Sequence, residues 1–445
     1  MLSMSSISNL FLNKQFSCKY FTDHENGVLN VESDQKADEV SCPICGGKVH
    51  IHDHSDITLK DMPPEPDTTQ LIKVRTHRYQ CQSCSHSFND FIAFKYPGTR
   101  VTMRAAAWIK AFLGAGMTIK AVSRLTGIHW ETVSRIHKDI MEDALERRAE
   151  ALKDKGYKPK RLAVDEFAIH KGHTYATCVM DIDEGDVIWV GKGRSIADFN
   201  KFFQEIDMEY LSEVEAVAMD MNASYNKLVE QYLPNAAIVY DRYHMQAQFG
   251  KEVLGSVRLE EARRHRDQAY DLRSVISKDM PKEERDAIKA KVKAERELYQ
   301  RLKRSRWTLL MNSSKLSDGR SDSLKKILDD HHDLAVCYAM KEAMCDLFDL
   351  TDPGKAEDGW KNWFQAAMES GIPQLEKFAR LKKKRIDGLV AHSAHPISTG
   401  KLEGFNNKIK VAKRIGYGYR NDEYFFTLVR YSSLPAVRQK KQNEG

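Results

Sequence analysis

The chain has 445 residues, and 69 basic against 63 acidic side chains leave a net charge of +6. Hydrophobic residues make up 42% and charged residues 30%, a globular balance with enough apolar material for a real core. No apolar run approaches the roughly 18 residues of a membrane span, and the N-terminus lacks the pattern of a secretory signal, so membrane and secreted classes are disfavoured and a cytoplasmic chain of about two to four domains is expected.

Residues 1–40 are polar and weakly patterned and receive no assignment. Residues 41–98 hold Cys42-Pro-Ile-Cys45 and Cys81-Gln-Ser-Cys84. Two residues between cysteines let both sulfurs of a knuckle reach one ion, and four thiolates close a tetrahedral zinc shell. A zinc ribbon with one structural Zn²⁺ is expected, with a strand near residues 71–75 carrying the long connection between the knuckles. The other four cysteines (Cys18, Cys178, Cys337 and Cys345) are scattered, which argues against a disulfide framework.

Residues 99–158 read as a helix-turn-helix domain. An amphipathic helix over 118–125, a turn at Thr126-Gly127-Ile128-His129 and a second helix from Trp130 fit that motif. Ala121, Leu125, Ile128, Val133 and Ile136 are the expected apolar set, with Trp108, Ile109 and Phe112 on the preceding helix completing a three-helix core. The second helix would present Thr132, Ser134, Arg135 and Lys138 to a DNA major groove. The alternative is a small helical bundle with no DNA role.

Residues 159–247 alternate short apolar runs with amphipathic stretches, the pattern of a mixed α/β layer. Asp165 stands inside the apolar strand pattern Arg161-Leu-Ala-Val-Asp-Glu-Phe-Ala-Ile169, where a charge is costly unless paired or metal-bound. Its neighbour Glu166 faces the other side. Two further strands of a meander and a helix over 195–206 follow. Asp220 ends the strand before a helix over 223–232, at the end of a strand where ligand sites gather; the plainer reading is a helix N-cap. Asp241 ends the next strand, opens Asp241-Arg-Tyr-His244, and competes with Asp220 by position.

Residues 248–390 switch to Glu-, Lys-, Arg-, Ala- and Leu-rich helical spacing and read as an α-helical insertion. Residues 391–435 return to mixed character as the second part of the core, and 436–445 form a tail. In the helix around Glu403, Leu402, Phe405, Ile409 and Ala412 make a buried stripe. Glu403, Asn406, Asn407, Lys410, Lys413 and Arg414 make the other face, in residue types that hold phosphates. From Lys377 to Arg420 there are twelve basic residues against Asp387 and Glu403, a window of 12 − 2 = +10.

The stretches CPICGG, HRYQCQSCSHSF, VDEFAIHKG, AMDMNASY, DRYH and TGKLEGFNNKIKVAKRIGYGYRN together resemble the ISL3 family of bacterial insertion-sequence transposases. The resemblance spans about residues 40 to 433. It implies an α+β multi-domain chain: a zinc ribbon, a helix-turn-helix and a ribonuclease H-like α/β core interrupted by an all-α insertion. It makes Asp165, Asp220 and Glu403 the catalytic triad, with Asp241 and His244 auxiliary in a DxxH motif. Thr399 stands where the family usually has Asn, and Ser85 where Gly is commoner.

The same resemblance implies two catalytic Mg²⁺ ions, with Mn²⁺ able to substitute, since hard cations take carboxylate oxygens. Such a site cuts a phosphodiester to leave a 3′-OH and then uses that hydroxyl on target DNA. The implied partners are double-stranded DNA at the terminal inverted repeats and at the target, in the bacterial nucleoid, and a second copy of the chain. The rival readings are a domesticated, catalytically dead DNA-binding regulator and a ribonuclease H-like nuclease that cuts without joining.

Overall fold

The computed structural model describes residues 16–22, 28–62, 70–170, 174–221, 223–397, 400–416 and 419–435, with the backbone alone at 17–22, 223–224 and 403. The protein is a mixed α+β chain with two sheets and many helices. It divides into two compact units, residues 1–150 with 412–431 and residues 151–411 with 432–445.

In the first unit, β1 (Phe16–Thr22), β2 (Val28–Ser33), β3 (Val49–Asp61), β4 (Gln70–Cys81) and β5 (Ser87–Asn89) form one sheet. Its order is β1-β2-β4-β3, with β5 on β4. The weakly patterned N-terminal segment therefore supplies two strands. Leu29 and Val31 of β2 alternate inward and join Leu59, Ile72 and Val74 in one small core. The long β3–β4 ribbon pairs antiparallel from Val49–Cys81 to Asp61–Gln70, so the distant cysteine pairs are returned to the same end. The Pro-rich connection at 63–66 lies outside the described residues.

Three helices follow: α1 (Met103–Gly114), α2 (Ile119–Thr126) and α3 (Trp130–Asp154). Thr102 and Thr118 cap α1 and α2, each accepting a backbone N–H at 3.1 Å. Gly127 ends α2 in the left-handed region at φ 64°. Val122, Ile128, Val133 and Ile136 pack with Ala105, Ala106 and Ile109. The expected apolar set shifts in one respect. With the helix starting after Thr118, Val122 and Thr126 face inward, while Leu125 is left 40% exposed and Trp108 48% exposed.

In the second unit, β6 (Arg161–His170), β7 (Thr174–Asp181), β8 (Val187–Lys192), β9 (Ala216–Met219) and β10 (Ala237–Tyr240) form a sheet of order β10-β9-β6-β7-β8. β7 is antiparallel to both β6 and β8, while β6, β9 and β10 run parallel. One face of the sheet is buried by α4 (Ile196–Glu205) and α5 (Ala223–Tyr232), through Phe199, Phe202, Phe203, Tyr225 and Leu228 on Leu162, Val164, Val217 and Met219. Each such side chain is worth roughly 1.5–3 kcal/mol when removed from water. Strand alternation then turns Asp165 to the opposite face from Leu162 and Val164.

After β10 the described residues form no further strand and run through helices. These are α6 (Arg242–Phe249), a π turn, α7 (Gly255–Ser274), α8 (Lys282–Arg304), α9 (Arg306–Leu310), α10 (Asp318–Asp330), α11 (His332–Leu347), α12 (Pro353–Met368), α13 (Pro373–Lys383) and α14 (Ile386–Ala394). Their core, centred on Trp360, Trp363, Phe364 and Phe378, is continuous with Met221 and Tyr240 beside the sheet. Gly388 of α14 lies flat on Tyr240, where an added Cβ would sit 2.5 Å from the ring. α15 (Gly400–Ile415) and α16 (Asp422–Ser433) complete the chain.

Candidate active site

Parallel strands β6 and β9 and the end of β10 deliver three carboxylates to one place. Asp165 lies within β6, Asp220 directly after β9, and Asp241 directly after β10. Between them stands His244, one turn into α6. Its Nε2 is 3.9 Å from Asp165 Oδ1 and 3.8 Å from Asp241 Oδ2, and its Nδ1 is 3.9 Å from Asp220 Oδ2. The motif Asp241-Arg-Tyr-His244 thus sets its histidine at the centre of the acidic group.

The three aspartates are not equivalent. The Asp241 side chain is 4% exposed and caps α6, its Oδ1 accepting from the Tyr243 N–H at 3.0 Å. Asp241 thus has a capping role of its own, on α6. Asp220 is 45% exposed and accepts from the Met221 N–H at 2.6 Å and from Gln248 Nε2 at 3.4 Å. Gln248 in turn accepts from Lys382 of α13. Gln248 does not stand out in the sequence, and Lys382 figures there only as one charge of the basic window, because nothing in a helical pattern marks which residue faces a distant acid.

Burial raises the Asp165 carboxyl above the ordinary carboxylate range, and the charges of Asp241 and Asp220 push the same way. The Glu166 N–H and His244 oppose the shift. Glu166 is also raised by burial, opposed by a hydrogen bond from Tyr225 and by Arg194. It faces Tyr225 on the α5 side, as strand alternation requires.

Asn406 of α15 donates through Nδ2 to Asp165 Oδ2 at 2.6 Å, and its own Oδ1 is buried with no hydrogen-bond partner among the described residues. The sequence pattern places Asn406 on the polar, phosphate-facing side. It is buried because it closes on the sheet, whereas Asn407 and Lys410 are exposed, with Lys410 Nζ donating to Asn407 Oδ1 at 3.2 Å. Glu403 lies on α15 one turn before Asn406; its side chain and Thr399 are outside the described residues. Lys413 is half-buried and Arg414 exposed near the end of α15.

In the first unit, Cys42, Cys45, Cys81 and Cys84 form a tight cluster, with Sγ–Sγ separations of 3.5–3.6 Å between the knuckles. The knuckles share one construction. Gly46 N–H bonds to the Cys42 carbonyl at 2.9 Å, and Ser85 N–H to the Cys81 carbonyl at 3.1 Å. Backbone amides, that of Cys84 first, hold the Cys81 thiol down at about 6, while thiol neighbours drive Cys84 up to about 12 despite its bond from the His86 amide. Four sulfurs this close are a soft tetrahedral donor set of the kind zinc takes.

The four residues picked out on α3 divide. Thr132 and Ser134 are half-buried. Arg135 is exposed, and its Nη1 donates to the Gly98 carbonyl at 2.8 Å. Lys138 Nζ bonds to Glu423 Oε1 at 2.8 Å. Arg135 packs over Gly98, whose φ of +65° and lack of a Cβ make room for the guanidinium.

Among proteins of known kind, the DDE transposase family of ISL3 type, described as Transposase, matches residues 162–429. The transposase for insertion sequence element IS1001 of Bordetella parapertussis is 31% identical over 404 residues, 91% of each chain. The transposase for insertion sequence element IS1557 of Mycobacterium tuberculosis is 28% identical over 323 residues, 72% of this chain and 69% of that one. A transposase is thus the class that the match defines. The chain belongs to the ISL3 family of insertion-sequence transposases, which makes it a DNA-processing enzyme. Among the described residues, no helix is long and apolar enough to cross a membrane.

Proposed function

We propose that this transposase binds the terminal inverted repeats of its element and carries out metal-dependent strand cleavage and 3′-OH strand transfer at Asp165, Asp220 and Glu403. The observation that carries this reading is the approach of Asp165 and Asp220 to one histidine at neighbouring strands of the sheet. A central strand antiparallel to a meander on one side and parallel to two strands on the other is the topology of a ribonuclease H-like core, and the strand order supports it.

The residues present suit two Mg²⁺ ions. The donor set is carboxylate oxygen, Asp165 gathers negative charge that a cation would relieve, and the buried Asn406 Oδ1, unpartnered among the described residues, adds an oxygen beside it. When bound, the ions would supply Lewis-acid stabilisation to the attacking and leaving oxygens. The chain's own part is to hold that site. Asn406 fixes the Asp165 carboxylate, Gln248 steadies Asp220, and His244 stands within 3.9 Å of all three acids. In this reading the four cysteines hold one structural Zn²⁺ in a ribbon over 41–98. The helix-turn-helix over 99–158 reads the repeats, and the core over 159–247 and 391–435 is split by the helical insertion. Synapsis of two ends calls for a homo-oligomer on DNA.

The test is direct. Asp165→Ala, Asp220→Ala and Glu403→Gln should each still shift end-sequence DNA in a gel and give no cleavage with Mg²⁺ or Mn²⁺. Retained cleavage removes that residue from the triad. Wild-type protein that binds ends without Mg²⁺-dependent strand transfer would instead be a DNA-binding regulator.

A further inference from the structure

We propose that the helical insertion carries a second metal site, for one zinc ion, built from Glu261, His265 and His331. One donor atom from each of these residues lies within 4.8 Å of those of the other two. Glu261 and His265 are four residues apart on α7 and so share a face. His331 comes from the junction of α10 and α11, where it is the residue preceding α11.

The surroundings are those of a prepared site. The side chains of Glu261 and His331 are only 12% and 4% exposed. Glu261 spends Oε1 on Arg264 Nη1 at 2.8 Å, and its Oε2 faces His331 Nδ1 at 3.8 Å, too far for a hydrogen bond. His331 Nε2 is buried with no partner among the described residues. Buried polar atoms left this way are costly, and each needs an explanation. His265 is held from behind: its Nδ1 lies 2.6 Å from Glu295 Oε2 on α8. A carboxylate on one ring nitrogen fixes the tautomer and leaves the other nitrogen as a ligand, the usual support of a zinc-bound histidine.

Two imidazoles and one carboxylate are the N₂O set that zinc takes and that Mg²⁺ or Ca²⁺ does not favour. Zinc bonds of about 2.0–2.2 Å require donors about 3.4 Å apart, so the three side chains have only to close by side-chain rotation. The ion would tie the α7–α8 pair to the start of α11, and its binding energy would become folding energy of the insertion. Without an ion, the three described residues are a buried polar cluster with no hydrogen bond between them, and the measurement separates the two.

The experiment uses the full-length protein, stripped of metal, dialysed against limiting free Zn²⁺ and assayed by mass spectrometry of bound metal. Two zinc ions per wild-type chain are expected, one after Cys42→Ser with Cys45→Ser, and one after His265→Ala with His331→Ala. Glu295→Gln, which removes no ligand, should weaken one site about 10–100-fold. Cobalt substitution needs no variant: a second Co²⁺ should bind without adding to the thiolate charge-transfer band. A wild-type chain holding one zinc, or a double histidine variant holding two, overturns the proposal, as does a second Co²⁺ that carries thiolate absorption.

Discussion

Asn406 Nδ2 and Asp165 Oδ2 meet at 2.6 Å although 241 residues separate them in the chain. This bond ties α15, the helix that carries Glu403, to the strand that carries Asp165. Removing it should leave the carboxylates in place but loosely aimed. Asn406→Ala is expected to lower single-turnover cleavage about 10–100-fold and to raise the Mg²⁺ concentration needed for half-maximal rate, as loss of an outer partner of a metal ligand does. Asn406→Asp should be worse, because it sets a like charge against Asp165. Cleavage with an unchanged Mg²⁺ dependence would show that the bond serves packing alone.

Asp220 and Asp241 can be told apart by isosteric change. Asp241→Asn keeps an acceptor for the Tyr243 N–H, so the cap on α6 survives and the melting temperature should move little. Cleavage should fall by no more than about tenfold. Asp220→Asn should abolish it, a loss on the order of a thousandfold or more for a member of a catalytic unit. The reverse ranking in a cleavage assay would transfer the second metal-ligand role to Asp241.

Ser85 is the one non-glycine residue with positive φ among the described residues, at 57°, and it occupies the place that Gly46 holds in the first knuckle at 69°. A side chain in that region costs roughly 1 kcal/mol. Ser85→Gly should therefore stabilise the zinc-bound chain by up to about 1 kcal/mol, read as a higher midpoint in urea, with zinc content unchanged. Gly46→Ala should cost a similar amount. A lower midpoint for Ser85→Gly would mean that the serine makes a compensating interaction.

His137 sits against Tyr424, Nδ1 to hydroxyl at 2.5 Å, and burial pushes its pKa down to about 4. In the unfolded chain it titrates near 6.5. As pH falls from about 6.5 to about 4 the unfolded state takes up a proton that the folded state refuses, so stability is lost in that window, by about 2 kcal/mol at pH 5. Thermal unfolding at pH 7.5 and 5.0 should show the loss in the wild type and a smaller one in His137→Gln, which keeps an acceptor for the tyrosine and does not titrate. Equal acid sensitivity in both would place the effect elsewhere.

Much of the fold and site is legible in local pattern. Spacing alone pairs the cysteines, and Asp165 stands out because a charge inside Leu-Ala-Val-Asp needs a reason. What is not legible depends on chain returning from afar. β2 reads as a polar segment until β4 lies beside it and buries Leu29 and Val31. Asn406 reads as part of a phosphate-facing surface until the sheet covers it. The partner of Asp220, Gln248, and the trio Glu261, His265 and His331 belong to helices whose amphipathic pattern says which face is buried, not what it meets.

The insertion also carries a basic groove, and contact of DNA with it can be tested. Arg273, Lys289, Lys293, Arg296, Arg301 and Arg304 line a cavity of about 1040 Å³ along α7 and α8, with Glu297 the one acid on its wall among the described residues. Several of these are held in ion pairs, Lys293 with Glu297 at 4.0 Å and Lys289 with Asp286 at 3.2 Å, so Arg273, Arg296 and Arg304 are the better reporters. Replacing all three with alanine should weaken binding to DNA regardless of sequence. Each phosphate left without its cation should flatten the slope of log K against log salt by about 0.9. Anisotropy titrations with a labelled duplex from about 50 to 200 mM salt, the range over which phosphate binding weakens steeply, would measure both. A triple variant with the wild-type slope would show that DNA does not track this groove, while cleavage of a tightly bound end at low salt should survive the substitutions, because the three arginines line the groove and not the acidic group around His244.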